Sequence, residues 1–328
     1  MKTLAILAAA TTLILSATAS GQEIQGHRGT RGLMPENTLP AFAKALSLGV
    51  DNLELDLQIT KDNKLVIWHD PVLKSYLARN ADGSWVADNQ HVIWQMTLDE
   101  LRQFDVGRVN KTTKYGQTYP EQAGIDGTHI ATFDEFIALV RKSGNDKVRF
   151  NIEIKLDPRD APLTAPVEQH AAMAVKAIRD AGIADRTTVI SFNWATTAAV
   201  AKIAPELRIG QITFEANSPS ANILRGQPGP GPWLNGYDVD NYQSVPQMVK
   251  ASGAHVWVSF WRNVTPALVK EAHQLGLKVN VWTVNDQSTM AQMLDLGVDG
   301  ITTDYADRLR AVMQARGMAL PSPSPVSP

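Results

Sequence analysis

Short apolar runs and amphipathic helical runs follow one another almost without interruption from Phe133 to Arg316, and no other feature restricts the fold as much. Val148–Lys155, Thr187–Phe192, Leu207–Phe214, His255–Phe260, Lys278–Val284 and Gly300–Thr303 read as strands. The runs 133–143, 167–181, 195–204, 245–251, 265–275, 288–296 and 306–316 read as helices, several of them closed by Gly or stopped by Pro. Ahead of them lie strand-like runs at Glu23–Gly29 and Asp51–Thr60, a helix over 37–48 preceded by Pro35 and closed by Gly49, and a short strand from Leu65 to His69. A strand–helix unit repeated about eight times calls for a parallel sheet, and eight in one chain predict a TIM (β/α)8 barrel rather than a doubly wound sheet. The first strand is not followed by G-x-G-x-x-G, so a dinucleotide fold loses its main support.

Two stretches break the rhythm. Residues 71–127 are polar and irregular, with WQMTLDELRQF as the one clear helical run, and form a small insertion after the second strand–helix region. Residues 215–244 hold the run QPGPGPW and form a second, shorter insertion. The ends are of another character. Lys2, an apolar run from Leu4 to Leu15 and Ala17-Thr18-Ala19 make residues 1–19 a signal peptide, too short to serve as a stable membrane anchor. The chain is therefore expected to be exported, to the periplasm or the medium, and residues 318–328 (Pro/Ser-rich) are expected to form a flexible tail. It has no cysteine, so it must be held by its core alone. With a formal charge of −2 and no Lys/Arg run, nucleic acid is a poor partner. The oligomeric state is not legible.

The chemistry gathers in residues 23–70. Strict alternation in DNLELDLQI puts Leu53, Leu55 and Leu57 on one face and Glu54, Asp56 and Gln58 on the other. Two carboxylates side by side repel each other, and a divalent cation between them would reverse that cost. Glu153 and Lys155 share one face of a later strand; a salt bridge between them is the plain alternative to a metal role for Glu153. Three carboxylates without a thiolate select a hard cation, one Ca²⁺ or Mg²⁺. His27 and His69 end neighbouring apolar runs, and barrel chemistry sits at strand C-termini. An imidazole with pKa about 6.5 can act as acid or base there, in either order.

His27-Arg28-Gly29, Pro35-Glu36-Asn37-Thr38, Glu54-x-Asp56, Thr60-Lys61-Asp62 and His69-Asp70 stand in the order and spacing of the glycerophosphodiester phosphodiesterase family, which this chain resembles from about residue 23 to 310. NIEIK is similar to the segment that supplies a third metal carboxylate, Glu153, and a phosphate-facing lysine, Lys155. VWTVN and GVDGITTDY resemble later segments, with Ala306 where proline is usual. The resemblance implies His27 and His69 as acid/base pair, Glu54, Asp56 and Glu153 as metal ligands, and Arg28, Lys155 and Trp282 against the phosphodiester. It implies hydrolysis of a small-molecule glycerophosphodiester to sn-glycerol 3-phosphate and an alcohol. A phospholipase D-type enzyme on lysophospholipid or sphingomyelin, and a barrel that binds phosphodiesters without cleaving them, are the alternatives.

Overall fold

The computed structural model describes residues 21–328; the signal-peptide reading lies outside them. Among the described residues nine strands occur: β1 (Glu23–Gly26), β2 (Asn52–Ile59), β3 (Leu65–Ile67), β4 (Arg149–Ile154), β5 (Thr187–Ser191), β6 (Arg208–Thr213), β7 (Val256–Phe260), β8 (Lys278–Trp282) and β9 (Gly300–Thr303). The helices are α1 (Leu39–Leu48), α2 (Leu98–Leu101), α3 (Lys114–Thr118), α4 (Phe133–Lys142), α5 (Val167–Ala181), α6 (Trp194–Ile203), α7 (Val245–Ala251), α8 (Pro266–Gln274), α9 (Gln287–Asp295) and α10 (Ala306–Ala315). Strand β1 pairs in parallel with both β2 and β9, so eight parallel strands close on themselves as a barrel. The expected fold class is the observed one.

The ninth strand explains the surplus in the sequence. β3 returns antiparallel on β2, with Leu57 opposite Ile67, and stands outside the barrel circuit. This hairpin, not a barrel strand, brings His69 back to the level of Asp56, whose carbonyl accepts from the Trp68 amide at 3.0 Å.

Alternation decides what each strand shows to each side. Leu53, Leu55 and Leu57, with Phe150, Ile152 and Ile154, pack outward against the helices in the main core. The inward positions are divided by chemistry. On β1, β2, β4 and β9 they form a polar layer, where Asn52 donates to Asn151, Asn151 to Gln25, and Thr302 to Gln25, at 2.8–3.1 Å. Across the lumen, Ile190, Ile212, Val256 and Val258 make an apolar cluster with Phe192 and Trp282 above it. The barrel is thus charged on one half of its mouth and aromatic on the other.

Residues 71–127 carry a core of their own, in which Leu73, Leu77, Ile93, Leu101 and Phe104 surround Val66 and Trp68 of the hairpin. The helical run expected there shrinks to α2, a single turn held by a capping box between Thr97 and Glu100. The second insertion is pinned by Asn222, which donates to the Ile212 carbonyl (2.8 Å) and accepts from the Phe214 amide (2.8 Å). One expectation is corrected. Residues 318–328 are not a free tail but a strap laid over the helices. Met318, Leu320 and Val326 pack on the core, Arg310 donates to the Pro321 carbonyl at 2.9 Å, and the Ser324 amide bonds the Leu46 carbonyl at 2.8 Å. Proline-rich chain has little conformational freedom to lose, so a few contacts suffice to dock it.

Candidate active site

At the end of β1 the chain turns through two left-handed residues, Arg28 (φ 49°) and Gly29 (φ 82°). The second must be glycine, because a Cβ there would lie 2.7 Å from the Ala41 backbone. The first is costly for arginine, and the turn aims its amide at Glu54 Oε2, 2.8 Å away. The same turn sets the Arg28 guanidinium between Glu36 (2.5 Å) and Asp56 (3.3 Å).

Oxygens of Glu54, Asp56 and Glu153 all lie within 4.8 Å of one another. Each of these side chains is buried. Burial and the neighbouring Asp56 and Glu153 push the Glu54 carboxyl well above its usual range. Burial raises Glu153 to about 7 against the pull of Lys155, whose Nζ lies 3.0 Å from its Oε1. Asp56 is held well below the usual carboxylate range despite burial, by Arg28, His69, Lys155 and the Asn37 amide at 2.9 Å. Its Oδ1 is nevertheless buried with no hydrogen-bond partner among the described residues. A buried orphaned carboxylate oxygen facing two carboxyls that resist ionising together is the environment a divalent cation completes. The residues present fit the implied metal. The salt bridge from Lys155 to Glu153 also exists, so the two readings of Glu153 coexist in one geometry.

His27 stands on the rim of this cluster. Its Nε2 is 3.9 Å from Glu54 Oε2, and its Nδ1 is 2.6 Å from Asp304 Oδ1 at the end of β9. Asp304 is itself clamped by Arg31 through Nε (2.8 Å) and a second nitrogen (3.1 Å), and by the Asn285 amide at 2.7 Å. Burial and Arg31 lower His27 to about 4, against the opposing pull of Asp304. His69 is likewise lowered well below its usual value by burial, Arg28 and Lys155; its Nδ1 has only Asp70, at 3.4 Å. Both shifts favour the neutral imidazole.

Beyond the charges opens a cavity of about 530 Å³. It is lined by His27, Arg28, Glu54, His69, Glu153 and Lys155 on one side and by Phe192, Phe214, Trp233 and Trp282 on the other. Trp282 packs at 5.4 Å from both Phe192 and Phe260 and donates its indole N–H to the Val258 carbonyl (3.2 Å). All eight residues singled out from the sequence therefore border one space except Asp56, which stands behind Glu54 and Glu153 in the same cluster. Sequence reasoning missed Asp304, Arg31, Glu36 and Asn37 as individual actors. Asp304 had a signal, an acid placed directly after the last barrel strand as His27 is after the first.

Residues 27–308 match the glycerophosphoryl diester phosphodiesterase family. A glycerophosphodiester phosphodiesterase of Caldanaerobacter subterraneus is 30% identical over 291 residues, 89% of this chain and 97% of that protein. A crystal structure of a candidate glycerophosphoryl diester phosphodiesterase from Silicibacter pomeroyi superimposes with a TM-score of 0.80 at 33% identity, covering 92% of this chain and 96% of the other. An Oleispira antarctica phosphodiesterase, solved in complex with the product sn-glycerol-3-phosphate, shares the fold with a TM-score of 0.64 at 21% identity, covering 89% and 96%. With the match running through nearly all of the barrel, from His27 past Asp304, this chain belongs to the glycerophosphoryl diester phosphodiesterase family.

Proposed function

We propose that the chain hydrolyses water-soluble glycerophosphodiesters to sn-glycerol 3-phosphate and an alcohol, with one divalent cation, Ca²⁺ or Mg²⁺, held by Glu54, Asp56 and Glu153. The observation that carries this is the meeting of three buried acids within 4.8 Å with His27 Nε2 3.9 Å from one of them. The cation, when bound, supplies positive charge that offsets charge developing on the phosphoryl oxygens. The chain's own groups do the rest. Arg28 and Lys155 face the non-bridging oxygens as charge-assisted donors. The His27 Nδ1–H is given to Asp304, which leaves Nε2 with a free lone pair directed at the cavity, so we assign it the base that takes the proton of the attacking hydroxyl. Asp304 then stabilises the imidazolium, as a buried carboxylate does behind a general base. His69, whose carboxylate neighbour Asp70 is farther off at 3.4 Å and half-buried, is assigned the proton returned to the leaving oxygen.

The nucleophile in this reading is the substrate's own glycerol 2-hydroxyl. Its oxygen forms a bond to phosphorus, the bond from phosphorus to the head-group oxygen breaks, and the two protons pass through His27 and His69. A five-membered cyclic phosphate results, which water opens with the histidines in exchanged roles. Intramolecular attack has the advantage of effective molarity over a bound water. The paired histidines suit both steps.

A lipid substrate would need an exposed apolar rim. Ile223 and Leu234 of the second insertion are buried instead, and Leu224 is its exposed large aliphatic. Among the described residues no helix is long and apolar enough to cross a membrane. Export of the mature protein remains the reading of residues 1–19, tested by sequencing the N-terminus of protein recovered outside the cytoplasm. The decisive assay follows release of the head-group alcohol, choline or ethanolamine, from glycerophosphocholine, glycerophosphoethanolamine and lysophosphatidylcholine, with chelator and with Ca²⁺ or Mg²⁺ restored. Full turnover in excess chelator overturns the metal reading, and a higher kcat/KM on the lysolipid overturns the substrate class.

A further inference from the structure

Two arginines on the loop between β1 and α1 hold the two halves of the site. Arg28 stands beside Asp56, and Arg31 clamps Asp304 behind His27. One side chain reaches both. Tyr115, in α3 of the 71–127 insertion, donates its hydroxyl proton to Glu36 Oε2 and accepts from a terminal nitrogen of Arg31 at 3.3 Å. Glu36 is 3% exposed and passes the contact on, its Oε1 accepting from Arg28 at 2.5 Å. We propose that Tyr115 is a positioning residue of the active site, fixing Asp56 through Glu36 and Arg28 and His27 through Arg31 and Asp304. The insertion is then part of the catalytic scaffold, although only its first residue, Pro71, lines the substrate cavity.

The surroundings are built for that task. The Tyr115 ring is stacked between Tyr76 (4.4 Å) and Tyr119 (5.2 Å), and the Arg31 guanidinium lies over Tyr119 at 4.8 Å. Next to it the insertion is stitched to the backbone of the same loop. Gln122 donates to the Arg31 carbonyl at 2.7 Å, and the Ala123 amide to the Leu33 carbonyl at 2.8 Å. Glu121 pairs with Arg308 of α10. These anchors give the hydroxyl a fixed address without depending on it. Removing the hydroxyl alone therefore leaves the subdomain seated and releases only the two arginine branches, where a displacement of an ångström is enough to slow chemistry.

The test is Tyr115→Phe, which keeps the ring and its stack, assayed beside Glu36→Gln, the double variant and Tyr76→Phe. Expected are a kcat lower on the order of 10- to 100-fold for Tyr115→Phe, a KM within about twofold and a melting temperature close to wild type. Because Tyr115 and Glu36 act as one unit, the double variant is expected to fall no further than the weaker single. Tyr76→Phe is expected to match wild type. Wild-type kcat in Tyr115→Phe, losses that multiply in the double variant, or a loss matching only the fraction of unfolded protein would each overturn the proposal. It rests on the function read above, and the two fail differently. A wild type that releases no glycerol 3-phosphate refutes that function, whereas equal turnover by wild type and Tyr115→Phe refutes only the role of Tyr115.

Discussion

His27 Nδ1 and Asp304 Oδ1 lie 2.6 Å apart although 277 residues separate them. The bond exists because β1 and β9 are neighbours across the seam where the barrel closes, with Gly26 in register with Thr303. Closing the barrel therefore assembles the proton-accepting pair. Asp304→Asn keeps the shape and removes the charge that steadies the imidazolium. The expected result is a kcat lower on the order of 100-fold with KM little changed, measured by steady-state release of glycerol 3-phosphate. A KM effect alone would place Asp304 in binding instead.

The two histidines are separable by the leaving group. An oxygen as acidic as p-nitrophenol's departs without a proton, so a variant lacking the general acid recovers on it and one lacking the base does not. In a single turnover, His69→Ala is expected to release p-nitrophenol from the p-nitrophenyl diester of glycerol phosphate within about tenfold of wild type, while losing at least about 100-fold in ethanolamine release from glycerophosphoethanolamine. His27→Ala is expected to be slow on both. The reverse pattern exchanges the roles.

Replacing the glycerol 2-hydroxyl of the substrate by hydrogen tests the internal nucleophile. Turnover of that analogue is expected to fall by several orders of magnitude, as effective molarities allow, and the natural substrate is expected to show a transient cyclic phosphate by ³¹P NMR. Near-normal turnover of the analogue would make a water the nucleophile.

A histidine outside the site adds to acid lability. His170, wholly buried on the inner face of α5, is lowered to about 4 by burial, while in the unfolded chain it titrates near 6.5. The folded state thus needs it neutral, and the unfolded state gains a proton as pH falls below 6.5. Stability is full above that pH and declines by roughly 3 kcal/mol between pH 6.5 and 4 on account of this residue. In urea melts across that range, His170→Leu is expected to flatten the pH dependence by about one proton. An unchanged slope would assign the acid lability elsewhere.

Much of this was legible in sequence for two geometric reasons. Period-two alternation puts Glu54 with Asp56, and Glu153 with Lys155, on one face whatever the neighbouring strands do. Parallel strands then bring all C-terminal ends to one mouth, so His27, Glu153 and Trp282 meet there without any contact being known. His69 reached the mouth by another route, a hairpin, which local pattern does not distinguish from a short barrel strand. Arg31, Glu36 and Tyr115 were illegible as a set because their roles arise from a left-handed turn at Arg28 and from an irregular insertion. Neither has a periodicity to read. The strap at 318–328 was misjudged because composition reports the freedom of an isolated chain and not the groove waiting for it.

That strap has a practical side. Ser324 and Ser327 bind at the carboxyl ends of α1 and α4, and just ahead of β1 Gln22 donates to the carbonyls of Leu294 and Val298 beneath β9. Both lie on the floor of the barrel, opposite the mouth. A resin, a fusion partner or a surface joined just before β1 or at the level of Ser327 would hang from that floor and leave the mouth turned outward, so the enzyme can be tethered at either point without crowding the approach of its substrate.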